Sequence, residues 1–211
     1  DVGSATRYWI EQGEAVRAAH GMRVMVREVF KVERALEPAV EAVLADRAEA
    51  FIIDHPEGAL SALETLHRAK AGRGVFVLDR CGGAGMQTDG IGKPLMQFVR
   101  VTPGYECVAE ALLGDVRLVD DLPSVLAMFP HGALPGVFVT QSGDVLTEDR
   151  VVRGGAGSSD AGLLARTREV RELTVEVETL DQTLRAQLVA AHDAESQLSA
   201  LADEVERLRD R

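Results

Sequence analysis

A glycine-rich run ending in Gly90, Ile91, Gly92, Lys93 and Pro94 invites a phosphate-loop reading. That chemistry needs a glycine five residues before the Gly-Lys pair and a hydroxyl residue after the lysine, so that backbone N–H groups can wrap the phosphate oxygens. Gln87 and Pro94 occupy those places, so the spacing argues against nucleotide binding. Cys81 and Cys107 have no second Cys or His at ligand spacing, which favours a loop thiol and a helix-packing residue over a metal site. The histidines at 20, 55, 67, 131 and 192 form no pair, no Gly-x-Ser-x-Gly elbow occurs, and Ser158 and Ser159 lie in a linker-like stretch. The chain therefore offers no catalytic constellation and reads as a non-enzyme.

The remaining chemistry is charge. The net charge is −11; residues 1–160 carry 16 basic and 23 acidic side chains, and the rest carry 7 and 11. Attraction of the whole surface to nucleic acid is not expected, so DNA contact would need a local patch. Candidates for such a patch are Lys70, Arg73, Arg80, Lys93, Arg100 and Arg153, with Arg166 and Arg168 further on. Acids such as Glu176, Glu178 and Glu206 along the distal arm would repel a phosphate backbone, which places any DNA site close to the globular part.

The elements that position these residues begin with a seam. Val170, Leu173, Val177, Leu180, Leu184, Ala191, Ala194, Leu198, Leu201, Val205 and Leu208 recur at alternating steps of three and four, broken only at Gln187. That is the a/d pattern of a coiled coil. With no Pro or Gly after Leu163, one helix on the order of 70 Å long is expected, and nothing else in the chain matches it as a partner. About 160 residues remain for one globular unit.

Within that unit, Thr6–Ala19 suits a short helix with Trp9, Ile10 and Val16 on one face. A strand follows from Arg23, a helix over Glu33–Leu44, a buried strand over Phe51–Ile53, a helix from Glu57 to Ala71 and a strand over Gly74–Leu78. Residues 81–92 read as a loop between two halves. The second half carries strands at Val99–Val101, Val116–Val119 and Val137–Thr140, a helix over Leu122–Met128, and a hairpin turn at 141–144. Leu36, Glu37, Glu41, Ala42, Val43, Leu44 and Asp46 recur at an offset of 69 as Tyr105, Glu106, Glu110, Ala111, Leu112, Leu113 and Asp115. Two similar α/β subdomains are therefore expected, at 22–95 and 96–160. Residues 1–21 are expected to precede them as a linker or the end of a coil, and 161–211 to follow as a coiled-coil arm.

Four blocks resemble the hinge domain of structural maintenance of chromosomes (SMC) proteins, in bacterial form. Gly72, Arg73 and Phe76 look like its Gly-Arg-x-x-Phe strand, and Leu112, Leu113, Gly114 and Asp115, followed by Val119, Asp120, Asp121 and Leu122, look like its leucine-glycine-aspartate strand entry. Val139, Thr140, Gly143, Gly154 and Gly155 fit its Gly-x6-Gly-x3-Gly-Gly pattern, with Arg150 in place of the second glycine. Leu164, Arg166, Arg168, Glu169 and Leu173 are similar to the start of its returning coil.

The resemblance implies two subdomains at one end of an antiparallel coiled coil, a homodimer of two such hinges, and contacts at or beside Gly143, Arg150, Gly154 and Gly155. It also implies a place in chromosome condensation and segregation, DNA contact near the hinge–coil junction, and a cytoplasmic, nucleoid-associated location. The partners implied are a second copy of the hinge and the chain's own outgoing arm. ATP and Mg are expected only at absent head domains, with no cofactor in this fragment and no membrane partner. The starting Asp1 fits a fragment, no stretch approaches a membrane span, and two separated cysteines make a reducing compartment the default. The alternative is a small-molecule-binding α/β sensor domain that signals through a parallel coiled coil.

Overall fold

The computed structural model describes residues 3–79, 91–131, 134–155 and 162–209 and divides into two units, Asp1–Thr167 and Arg168–Arg211. Near the N-terminus, Gly13 splits the expected helix into α1 (Ser4–Glu11) and α2 (Glu14–Ala19). Of the face expected to be buried, only Trp9 is covered; Ile10 and Val16 are exposed. Trp9 packs with Met22, Met25, Phe51, Ile53, Ala62 and Leu66, which makes α1 a lid on the first subdomain's apolar cluster.

Strand β1 (Met22–Met25) gives way to a single helical turn, α3 (Val26–Val29), and then to β2 (Phe30–Val32). The Glu28 carboxylate accepts the Met25 N–H at 3.3 Å and caps that turn, so a run whose apolar spacing suits a strand coils instead. A 3-10 turn at Arg34–Leu36 leads into α4 (Glu37–Leu44), where Pro38 sits in the first turn and needs no donor. Next come β3 (Phe51–Ile53), buried along its whole length, α5 (Pro56–Ala69) and β4 (Phe76–Leu78). Helix α5 ends on Lys70 in the left-handed region, φ 52°.

The second half contains β5 (Lys93–Pro94), β6 (Val99–Val101), α6 (Glu106–Leu113), β7 (Val116–Val119), α7 (Leu122–Met128), β8 (Val137–Thr140), β9 (Val145–Leu146) and β10 (Val152–Arg153). The bounds of α4 and α6 differ by the 69 residues of the sequence repeat, and each helix enters the same sequence of strand, helix and parallel strand. Two sheets result, ordered β1-β3-β4 and β10-β9-β8-β7-β5, with β1 antiparallel to β3 as β5 is to β7. A separate ribbon, β2 paired antiparallel with β6, ties the two halves together. One core cluster runs through both, from Val26, Phe30, Val40 and Leu44 to Val108, Leu113, Val116 and Val139. Each such fully buried aliphatic side chain contributes roughly 1.5–3 kcal/mol through water released from its surface.

Cys107, on α6, is disulfide-bonded, which corrects its reading as a packing thiol and removes the cysteines as an argument for a reducing compartment. Cys81 and most of the glycine-rich loop lie outside the described residues.

Helix α8 (Leu163–Arg209) is unbroken, as the seam predicts, and spans about 70 Å. Its first turn belongs to the first unit, where Leu164 is buried in the core. Within the second unit the seam is bare: Leu173, Leu180, Leu184 and Leu201 are all more than half exposed. Among the described residues no helix is long and apolar enough to cross a membrane.

Candidate dimer interface and nucleic-acid contacts

The hairpin joining β8 to β9 closes through Gly143 N–H to the Thr140 carbonyl (3.0 Å) and Thr140 N–H to the Asp144 carbonyl (2.9 Å). Gly143 has φ 91°, and a Cβ there would stand 2.9 Å from the Pro38 carbonyl oxygen, so α4 is pressed against the turn. Only glycine meets both demands. The Asp144 carboxylate accepts from the Ser142 hydroxyl (2.9 Å), the Gly155 N–H (3.1 Å) and the Thr140 hydroxyl (3.3 Å). The Ser142 bond, followed by the Gly155 amide, holds Asp144 below the usual carboxylate range. A Cβ on Gly154 would run into that same carboxylate, and Gly155 has φ 116° with open space around its Cα. Gly143, Gly154 and Gly155 are thus brought to one side chain or its hairpin, although they are far apart in sequence.

Arg150 adopts φ 63°, the conformation a glycine would take at low cost. Its guanidinium donates from Nη1 and Nη2 to the Phe129 carbonyl, each at 3.1 Å, just beyond the end of α7. Backbone geometry suited to glycine is therefore kept, and the added side chain is tied down.

Each sheet has two edge strands, β1 and β4 in one and β10 and β5 in the other. Strand β10 follows exposed Val151 and carries exposed Val152, and among the described residues it pairs on one side only, with β9; β4 is an edge of the other sheet and carries exposed Leu78, with exposed Val75 just before it. A strand edge with exposed apolar side chains and unpaired backbone groups is a template for another chain.

At the root of the arm, the Glu41 side chain of α4 accepts the Leu164 N–H, and the Ala165 N–H also bonds to it. This carboxylate serves two of the unsatisfied donors at the start of α8. Burial raises its proton affinity, and the two amide bonds oppose that shift.

The basic candidates come from separate elements. Lys70 and Arg73 lie on the connection from α5 to β4, Lys93 on β5, Arg153 on β10, and Arg166 and Arg168 in the first turns of α8; Arg80 lies outside the described residues. Arg168 is paired to Glu172 at 3.4 Å. Arg100 alone is paired in register with another cation: Lys31 stands directly opposite it across the β2–β6 ribbon. Sequence reasoning missed Lys31 and Glu41. Lys31 was marked by its place between Phe30 and Val32, and Glu41 by its recurrence as Glu110.

The family described as SMC proteins Flexible Hinge Domain matches residues 19–128, about half of the chain. The chromosome partition protein Smc of Burkholderia pseudomallei (strain 1710b) is 32% identical over 181 residues, covering 82% of this chain and 15% of its own length. That of Bacillus subtilis (strain 168) is 27% identical over 174 residues, covering 77% and 15%. The chain thus spans about 15% of the curated relatives it matches. Among solved structures, an asymmetric dimer of the Geobacillus stearothermophilus SMC hinge domain has TM-score 0.65 at 22% identity, covering 85% of this chain and 75% of that one. The Pyrococcus furiosus Smc hinge domain with an extended coiled coil has TM-score 0.56 at 20% identity, covering 90% and 77%. These two likenesses establish the fold, including the long helix that leaves it. With the matched profile falling on both halves of the repeat, this chain belongs to the SMC hinge-domain family.

Proposed function

We propose that this chain is the dimerisation hinge of a bacterial chromosome-organising SMC ATPase, joining two copies through their globular units and leading each into a coiled-coil arm. The observation that carries this reading is the pair of free, partly apolar edges, β4 and β10, one on each sheet. In a two-fold dimer the β4 edge of one copy meets the β10 edge of the other, twice over. Asp144 holds Gly154 and Gly155 just beyond β10, within reach of that contact. The bare seam of α8 then faces the outgoing arm of the full-length chain, and ATP and Mg act only at distant heads. Similarity to bacterial chromosome partition proteins supports a cytoplasmic, nucleoid-associated setting.

DNA contact belongs to the same reading, with Lys31 and Arg100 as its strongest element. Two like charges directly opposed on a ribbon destabilise each other unless an anion lies between them. Light scattering tests the core of the proposal. The chain should show twice its 22.7 kDa mass, and truncation after Thr167 should leave the dimer whole. Loss of the dimer on truncation would instead favour a sensor domain that pairs through a parallel coil. Substituting Gly154 and Gly155 with leucine should weaken the dimer; unchanged association would remove them from the interface.

A further inference from the structure

The internal repeat places a filled site in the first half opposite an open one in the second. Asp54 is the first residue after β3, as Asp120 is after β7; Asp79 follows β4 as Gln141 follows β8. Arg23 follows the Met22–Ile53 pair on β1, and Lys93 pairs with Leu118 on β5, so each cation stands on the antiparallel neighbour of its central strand. In the first half the three groups close on one another, with Arg23 Nε 2.5 Å from Asp54 and Nη1 3.6 Å from Asp79. In the second half Lys93, Asp120 and Gln141 stand around a cavity of about 510 Å³. Lys93 and Asp120 make no ion pair among the described residues.

We infer that this cavity binds an organic cation, a guanidinium or ammonium group carried on a short aliphatic stem. The lining carries the carboxylates of Glu33, Asp120 and Asp121 against the Lys93 ammonium, while Leu36, Phe98 and Val125 supply apolar wall for the stem. The template is internal, since in the equivalent position Asp54 takes a guanidinium directly. Where the first half has the acid Asp79, the second has Gln141, whose amide oxygen accepts a hydrogen bond without adding charge. The volume falls within the roughly 300–1,000 Å³ of small-ligand pockets, and the carboxyl ends of parallel strands are where open α/β sheets hold ligands. Asp121 is already committed to capping α7 through Ser124, so the cation falls to Asp120 and Glu33.

This site does not depend on the hinge reading. Calorimetric titration of the full chain with butylguanidinium chloride should show saturable binding, absent with sodium chloride or tetramethylammonium chloride. Asp120→Asn should weaken it about tenfold and Glu33→Gln several-fold, while Lys93→Met should tighten it by removing the competing cation. All three positions are exposed, and circular dichroism checks that each variant keeps its fold. No saturable binding, or equal binding by the Asp120 variant, overturns the inference. The natural cation can arrive free or as an arginine of a second copy. A probe that lowers the molar mass identifies the second source and an unchanged mass the first; both outcomes keep the site.

Discussion

Arg150 holds a left-handed backbone that costs a non-glycine residue about 1–2 kcal/mol, offset by a charged donor pair on the Phe129 carbonyl worth a similar amount. The two effects separate by substitution. Arg150→Ala keeps the strain and loses the bonds, so its urea midpoint should fall by the equivalent of about 1–2 kcal/mol, while Arg150→Gly loses both and should lie much closer to the parent. Equal losses in the two variants would contradict this balance. Asp144 gives a pH signature. Its proton affinity is lowered in the folded state, so the stability it contributes is fully present above the ordinary carboxylate range and is lost as pH falls through the depressed value. Asp144→Asn should therefore be destabilising at pH 7, with the gap from the parent closing below about pH 4 in paired denaturation curves. The glycine spacing was legible in the sequence. The left-handed Arg150 was not, because nothing local to it announces that a carbonyl 21 residues away will anchor its side chain.

Among the elements, α4 has the most work to do, and Glu41 is its test. Glu41→Ala should expose the Leu164 and Ala165 amides, seen as faster hydrogen exchange, and cost about 1 kcal/mol, as lost helix caps do. Glu41→Gln should cost less, because the amide oxygen still accepts. The raised proton affinity of Glu41 means its contribution is greatest below the ordinary carboxylate range and declines as pH rises through the raised value, so the neutral Gln should compare best at pH 7. Most helices and strands followed from apolar spacing, since α5, α7, β3 and β8 are long or uniform enough to show a period. The exceptions have local causes: Glu28 caps a helical turn at Val26–Val29, and Gly13 divides a helix whose second half buries nothing. Register also escapes a single sequence, which is why Lys31 was not placed beside Arg100.

At the scale of the molecule, a repeat with an edge strand carrying exposed apolar side chains on each sheet, β4 on one and β10 on the other, predicts a dimer with two copies of one contact. A lysine at Leu78 should weaken the β4 side of both contacts, and a lysine at Val152 the β10 side of both, each by tenfold or more in dimer dissociation. Mixing the two variants leaves one contact entirely native, so the mixture should form a heterodimer more stable than either homodimer, measurable by native mass spectrometry. Failure of that rescue would mean that the edges do not meet in this crossed fashion. The two halves were recognisable from seven aligned residues, and the structure turns that alignment into matching helices and strand order. What no alignment of the halves conveys is their difference in charge, a closed ion pair in one and an open cavity in the other.

Pro38 and Glu41 lie three residues apart on α4, so a single helical turn separates the contact with Gly143 from the grip on Leu164. A helix of eight residues is too short to bend and too well packed to slide without disturbing its neighbours. Tension on the first turn of α8 is therefore delivered within one turn of α4 to the hairpin beside β10, which makes this helix a mechanical strut between the arm's root and the place where a second copy would take hold.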